Sequence, residues 1–318
     1  MIKTSGLRKS FRSGRTTVDA VRGVDLDVGD GEIFGFLGPN GAGKTTTLRM
    51  LATLIRPDGG SALVAGIDLR QRPGEVRRRI GYVAQGGGTW DEVSAREELA
   101  YQVRLYGIGP AEARRRAHEA VDAFQLTEFA DRHCKTYSGG QRRRVDIALG
   151  VIHRPRVVFL DEPTTGLDPQ SRAHMWNEVR RLRDEGMTIF LTTHYLEEAD
   201  ALCDRVAIID HGTIVAVDSP AELKRQVAGD VVTLDLADDP TTVAADLERQ
   251  PYVRELERSG DNGLRLVVDA GATAMPQIMR HVDAAGATIS AIELHRPSLD
   301  DVFLARTGRS LRDTGSQS

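Results

Sequence analysis

The sequence predicts an α/β domain built around a phosphate-binding loop over residues 1–220, then a small α+β domain over 221–308. Three observations carry this. Gly38-Pro39-Asn40-Gly41-Ala42-Gly43-Lys44-Thr45 fills every specified place of the pattern G-x-x-x-x-G-K-[ST]. Two further apolar runs end in residues suited to chemistry: 157–160 leads into Asp161-Glu162, and 188–193 into His194. After Ser219-Pro220 these motifs stop and the composition shifts. A chain of 318 residues has room for two domains, and a single core of that size is unusual.

Residues 2–28 read as β structure broken by a turn at Arg12-Ser13-Gly14-Arg15. Val24-Asp25-Leu26-Asp27-Val28 alternates apolar and acidic residues, as a strand with one wet face does. Phe11, just before the turn, either stacks on an adenine or joins the core. Residues 32–37 are a short, largely apolar run, and 46–54 have helical spacing in Leu48, Met50, Leu51 and Leu54. A strand, a glycine loop and a helix in that order aim backbone N–H groups and a positive helix end at one point, which suits a polyphosphate. Lys44 then reaches the β- and γ-phosphates, and Thr45, followed by Thr46, gives its hydroxyl to Mg²⁺.

After the turn Arg56-Pro57-Asp58-Gly59-Gly60, short strands are predicted over 61–65 and 79–84, with Gln85 at the end of the second. The run Gln85-Gly86-Gly87-Gly88 is predicted to be mobile. Residues 91–133 are helical, rich in Arg and Glu, and broken at Gly107-Ile108-Gly109-Pro110. They read as a helical subdomain, reaching to about 155 with the following helix, inserted into the nucleotide-binding sheet. Ser138-Gly139-Gly140-Gln141 opens that helix, and its polar cap and glycine amides form a second anion-receptive helix end. Asp161, at the carboxyl end of a buried strand, is the natural Mg²⁺ partner. Glu162 is the candidate to polarise the attacking water, and His194 is placed to meet a γ-phosphate. Residues 206–210 and 213–217 complete the domain as a hairpin across His211-Gly212.

Composition removes several function classes. The 40% apolar and 28% charged content belongs to an ordinary soluble globular protein. A net charge of -4 argues against general nucleic-acid binding. Basic residues are almost all Arg, which makes the retention of Lys44 telling. Cys134 and Cys203, the only cysteines, lack metal-ligand spacing and point to a reduced cytosolic setting. No apolar run approaches the roughly 18 residues of a membrane span, and no signal-peptide core opens the chain. Work at a membrane therefore requires a second polypeptide.

Taken in order, the phosphate loop, Gln85, Ser138-Gly139-Gly140-Gln141, Leu160-Asp161-Glu162-Pro163, Gly166-Leu167-Asp168 and His194 resemble an ATP-binding-cassette (ABC) ATPase over about residues 1–220. More narrowly, Thr136-Tyr137-Ser138-Gly139-Gly140, Arg142-Arg143-Arg144 and Pro297-Ser298-Leu299-Asp300-Asp301-Val302-Phe303-Leu304 are similar to the ATPase subunits of daunorubicin-resistance-type multidrug exporters. Tyr137 stands where Leu is commoner in the broad family, and Phe11 where Tyr is usual for adenine stacking. The resemblance implies ATP and Mg²⁺ as ligands, with Lys44, Gln85, Glu162 and His194 catalytic and Thr45, Gln85 and Asp161 at the metal. Phe11, the phosphate loop, Thr46, residues 138–141 and Asp168 bind nucleotide on the same reading. It also implies a head-to-tail homodimer in which each ATP lies between Lys44 of one copy and Ser138 of the other. Losing two charge-assisted hydrogen bonds to the γ-phosphate, at roughly 1.5–3 kcal/mol each, would weaken closure by about 3–6 kcal/mol. That is two to four decades at about 1.4 kcal/mol per decade.

The second domain reads as β-α-β-β-α-β, with strands over 231–236, 252–257, 264–268 and 288–294. Its helices over 239–249 and 275–285 each open near a proline, Pro240 and Pro276. It shows no catalytic cluster and reads as a dimer-stabilising or regulatory appendage, with a ligand-sensing role as the alternative; Leu299, Val302 and Phe303 share a helical face, and 309–318 is a polar tail expected to be disordered. The whole chain is expected to be the ATPase half of an exporter, peripheral on the cytoplasmic face of the membrane and coupled to a separate permease. The competing reading is a cytosolic ABC ATPase bound to ribosomes or DNA. A single phosphate loop, a short helical insertion and the acidic balance weigh against it. A purely binding module is disfavoured by Lys44, Asp161 and Glu162.

Overall fold

The computed structural model describes residues 1–14, 16–227, 229–260 and 262–310. Arg15 of the first turn and residues 311–318 of the polar tail lie outside them. The chain divides into one compact unit over Met1–Pro220 and a second beginning at Ala221.

In chain order the first unit holds β1 (Ile2–Ser13), β2 (Thr16–Val28), β3 (Ile33–Leu37), α1 (Lys44–Leu51), β4 (Gly59–Val64), β5 (Ile67–Asp68), α2 (Pro73–Arg77) and β6 (Ile80–Val83). The helical region follows with α3 (Ala95–Leu105), α4 (Pro110–Ala123), a 3₁₀ turn (Cys134–Thr136) and α5 (Gly139–Val151). Then come β7 (Val157–Asp161), α6 (Pro169–Asp184), β8 (Thr188–Thr193), α7 (Leu196–Leu202), β9 (Arg205–Asp210) and β10 (Thr213–Asp218). One sheet is antiparallel, in the order β2-β1-β4-β5. The other runs β10-β9-β3-β8-β7-β6 and is parallel except for the edge strand β10.

The parallel register decides where chemistry can gather. Strands β3, β8, β7 and β6 are neighbours pointing the same way, so their carboxyl ends share one edge. The residues just beyond those ends are Gly38, His194, Glu162 and the Ala84-Gln85 pair. Every residue of β3, β7 and β8 is buried, and each has an apolar centre; the polar residues fall at the ends of β8 and at the carboxyl end of β7. Phe190 on β8 anchors the layer, with ring centroids 5.7 Å from Phe34, 5.6 Å from Phe36 and 5.8 Å from Phe159. The wet-faced alternation in β2 is observed: Val24, Leu26 and Val28 are buried, and Asp25 and Asp27 exposed.

Helix α1 starts at Lys44 and stops at Leu51, against an expected 46–54. Thr53 turns the chain into the left-handed region at φ +61°, so Leu54 falls outside the helix and stands 53% exposed.

Helix α8 (Pro220–Val227) starts at the last residue of the first unit, and the second unit continues with β11 (Asp230–Leu236), α9 (Thr241–Leu247), β12 (Val253–Ser259), β13 (Gly263–Val268), α10 (Gly271–Ala284), β14 (Ile289–His295) and α11 (Leu299–Thr307). Its antiparallel sheet, β12-β13-β11-β14, covers one face with α9 and α10, joining Val232, Leu234 and Leu266 to Leu247, Ile278 and Val282. Leu299, Val302 and Phe303 of α11 are buried. Helix α10 begins four residues before the expected start, which leaves Pro276 inside it. The buried stripe Ala274, Ile278 and Val282 outweighs the hydrogen bond that the proline omits.

Candidate active site

Two glycines of the phosphate loop are required by their surroundings. A Cβ at Gly38 would strike the Ile209 carbonyl of β9, and one at Gly43 the Ala20 carbonyl of β2. Gly43 also sits at φ +103°, which favours glycine. Among the described residues, no protein group accepts a hydrogen bond from the N–H groups of Gly41, Gly43, Lys44, Thr45 or Thr46. These are donors at the mouth of a helix, the arrangement that receives phosphate oxygens. They line an open cleft of about 450 Å³ with Phe11, Gln85 and Glu162. Phe11 stands 43% exposed at its wall, so it is not a core residue, and the Lys9 ammonium lies 5.5 Å from its ring centroid.

Lys44 is 4% exposed and folds under the loop. Its ammonium donates to the carbonyls of Gly38 at 2.8 Å and Pro39 at 3.1 Å and lies 3.3 Å from Glu162 Oε1. Burial lowers the pKa of Lys44, and the charge of Glu162 opposes that shift. Thr45 Oγ1 donates to Asp161 Oδ1 at 3.0 Å, so a hydroxyl and a carboxylate from different elements converge. A hydroxyl and a single carboxylate beside a phosphate cradle fit Mg²⁺, which keeps several waters and phosphate oxygens as ligands. Among the described residues, no cluster of three or more His, Cys, Asp or Glu forms a protein-only metal cage.

Glu162 occupies the centre. Its Oε2 accepts from Gln85 Nε2 at 2.9 Å and from Thr165 Oγ1 at 3.3 Å. His194 Nδ1 lies 3.2 Å away, close but off the hydrogen-bonding direction. Burial alone would push the Glu162 carboxyl up; His194 and the Lys44 charge overcome it and hold the group down at about 2. The backbone of Glu162 is left-handed at φ +45°, and its N–H is held by the Thr192 carbonyl at 3.1 Å and hydroxyl at 3.0 Å. Thr192 Oγ1 also donates to Asp161 Oδ1 at 2.7 Å.

The Ser138 turn lies elsewhere. Ser138 caps α5, accepting from the Gln141 N–H at 3.3 Å, while Gln141 Oε1 accepts from the Ser138 N–H at 3.0 Å. Gly140 lines a separate cleft of about 320 Å³ with Ser171 and His174, so residues 138–141 do not join Lys44 within the chain. Tyr137 is buried, its hydroxyl 2.9 Å from the Phe129 carbonyl. Asp168 is committed to capping α6: it accepts from the Ser171 N–H at 2.9 Å and hydroxyl at 2.6 Å, which lowers its pKa.

Sequence reasoning missed Thr192, Arg143 and Asp146, which hold these loops from behind. The available signal was polarity where burial was expected: Thr192 in a fully buried strand, and Arg143 one turn before Ile147 on an apolar face.

Residues 21–165 match the ABC transporter family, and residues 219–307 match the ATP-binding protein DrrA1-3-like, C-terminal domain family. The daunorubicin/doxorubicin resistance ATP-binding protein DrrA of Streptomyces peucetius is 44% identical over 99% of this chain and 95% of its own length. The chain belongs to the ABC transporter family, as one of its daunorubicin-resistance-type ATP-binding subunits. This ABC subunit is also 42% identical to the doxorubicin resistance ATP-binding protein DrrA of Mycobacterium tuberculosis, over 96% of this chain and 93% of that one. Among solved structures, a dimeric ATP-binding cassette in a post-hydrolysis state with ADP and Pi shares 25% identity. Its TM-score is 0.64, covering 69% of this chain and 98% of that one. The ABC cassette is therefore an ATPase with the expected α/β fold.

Proposed function

We propose that this ABC ATPase powers removal of a drug, antibiotic or lipid-like compound through a separate membrane permease, as the resistance names of its relatives suggest. The observation that carries the chemistry is the meeting of Glu162, Lys44, Gln85 and His194 beside a loop of unpaired N–H donors. Phe11 stacks the adenine, and Lys44 exchanges its carbonyl partners for the β- and γ-phosphates. Thr45 and Asp161 hold Mg²⁺, which neutralises phosphate charge when bound. Glu162 orients and polarises the water, and His194 steadies the carboxylate and meets the γ-phosphate.

Residues 138–141 complete the site of a second copy. Their separation from Lys44 within one chain and the dimeric solved cassette both support this arrangement. The groove beside Gln85, with exposed Trp90, Tyr101 and Leu105, supports a protein partner, and no helix among the described residues is long and apolar enough to cross a membrane. The subunit would sit on the cytoplasmic face through that partner. A ribosome- or DNA-bound role has no support from the acidic balance or from exporter-type relatives matched over nearly full length.

The test is Glu162→Gln in the full chain. ATP binding and an ATP-dependent dimer are expected to persist, while phosphate release falls roughly 10²- to 10⁴-fold. Brisk release from this variant would remove Glu162 from the role, and a permanently monomeric chain would remove the shared site.

A further inference from the structure

Helix α5 opens on the Ser138 turn, yet its inward face reaches the other end of the chemistry. Arg143 is buried, and its guanidinium donates Nη1 to the Ala84 carbonyl at 2.6 Å, Nε to that of Pro163 at 2.8 Å and Nη2 to that of Asp161 at 3.4 Å. Ala84 immediately precedes Gln85, and Asp161 and Pro163 flank Glu162. One turn further along α5, Asp146 accepts from the Gly88 N–H at 2.9 Å. The loop carrying Gln85 is thus held on both sides from a single helix. Gly87 sits at φ +75°, which favours glycine, and a Cβ there would stand 2.7 Å from Asp146 Oδ2 and force that carboxylate to shift. The bond between Gln85 Nε2 and Glu162 Oε2 at 2.9 Å closes the ring.

Neither Arg143 nor Asp146 lines the cleft of the phosphate loop. A buried guanidinium is a costly way to fill space, and an apolar side chain of similar volume packs as well or better. Its use here is explained by geometry: a planar fork reaches three carbonyls that a single ammonium cannot.

We propose that Arg143 and Asp146 are a positioning pair through which α5 fixes Gln85 and Glu162, so that the Ser138 turn of a chain governs hydrolysis at that chain's own phosphate loop. The proposal rests on the assignment of Glu162 and Gln85 to the hydrolytic site. Helix α5 then links the half-site offered to a second copy with the half-site the chain keeps.

The experiment compares full-length Arg143→Gln, Arg143→Lys, Asp146→Asn and the Gln/Asn double variant. ATP affinity is read with a fluorescent ATP analogue, and turnover by phosphate release across ATP concentrations. In Arg143→Gln, kcat is expected to fall roughly ten- to hundredfold, the scale set by misplacement of a reacting group, with affinity changed less than about twofold. Arg143→Lys recovers only part of the loss, and the double variant loses less than the product of the single factors because both residues act on one loop. Unchanged kcat, or a loss of affinity equal to the loss of kcat, overturns the proposal. Should Arg143→Gln fail to fold, Arg143→Lys and Asp146→Asn decide it on the same two readouts. A wild type that releases no phosphate, alone or with its membrane subunit, overturns the hydrolytic reading and this role with it. A hydrolysing wild type with unaffected variants overturns the pair alone.

Discussion

Glu98, on α3, is only 8% exposed, and its carboxylate accepts the Trp90 N–H at 3.2 Å with Cys134 Sγ 3.9 Å away. Burial raises its carboxyl from the ordinary 4.5 to about 7; the Trp90 N–H opposes this, Asp146 adds to it, and Arg142 relieves it slightly. A raised acid stabilises the fold while protonated, fully so below its unfolded value, and that share is lost as pH rises through the folded value. Glu98→Gln should therefore gain stability over the wild type between about pH 5 and pH 8, by on the order of 1–3 kcal/mol. Thermal unfolding at the two pH values checks this, and a difference that shrinks with pH contradicts it. At this scale legibility followed backbone demand. Lys44 and Thr45 were readable because a glycine loop entering a helix admits few alternatives. The capping role of Asp168 was not: a carboxylate before a helix carries the same letters whether or not it caps, and here the Ser171 N–H and hydroxyl donate to its two oxygens. Arg143 was masked by the run Arg142-Arg143-Arg144, and only its place one turn before Ile147 marked it as the inward one.

Strands were easier to read than loops, because burial on both faces writes itself as an apolar run. Residues 188–193 coincide with β8 because Ile189-Phe190-Leu191 is apolar and the flanking threonines are β-branched. The glycine run after Gln85 was expected to be mobile, yet Arg143 and Asp146 anchor its two sides, a long-range effect that composition does not encode. Helix α10 offers a test of another limit. Pro276 is exposed and lies where an N–H would meet the Ala272 carbonyl. Pro276→Ala should stabilise the second unit by about 0.5–2 kcal/mol, the restored bond being offset by a freer unfolded chain. A urea midpoint that falls instead would show that the proline sets the helix geometry.

Among the described residues, one hydrophobic cluster lies behind the phosphate loop and another packs against the sheet of the second unit. Every residue of the Lys44 cleft belongs to the first unit. Calorimetry is expected to resolve two transitions, with MgATP at a hundredfold excess over Kd stabilising only one of them, by about 2.7 kcal/mol. A single transition that moves as a block would refute independent cores. The halt of phosphate motifs after Pro220 coincides with the boundary between the two units, whereas the role of the second unit leaves no such trace because its sequence carries no comparable motif.

Both cysteines, Cys134 and Cys203, are buried in the first unit, and the residues after 220 contain none. Burial pushes the Cys134 thiol up to about 11 and that of Cys203 well above its usual range, so in the folded chain both are sluggish toward alkylating reagents. The chain thereby carries its own pair of stopwatches. Timed alkylation read by mass clocks the opening of the nucleotide-binding half, stays blind to the other, and needs no engineered label.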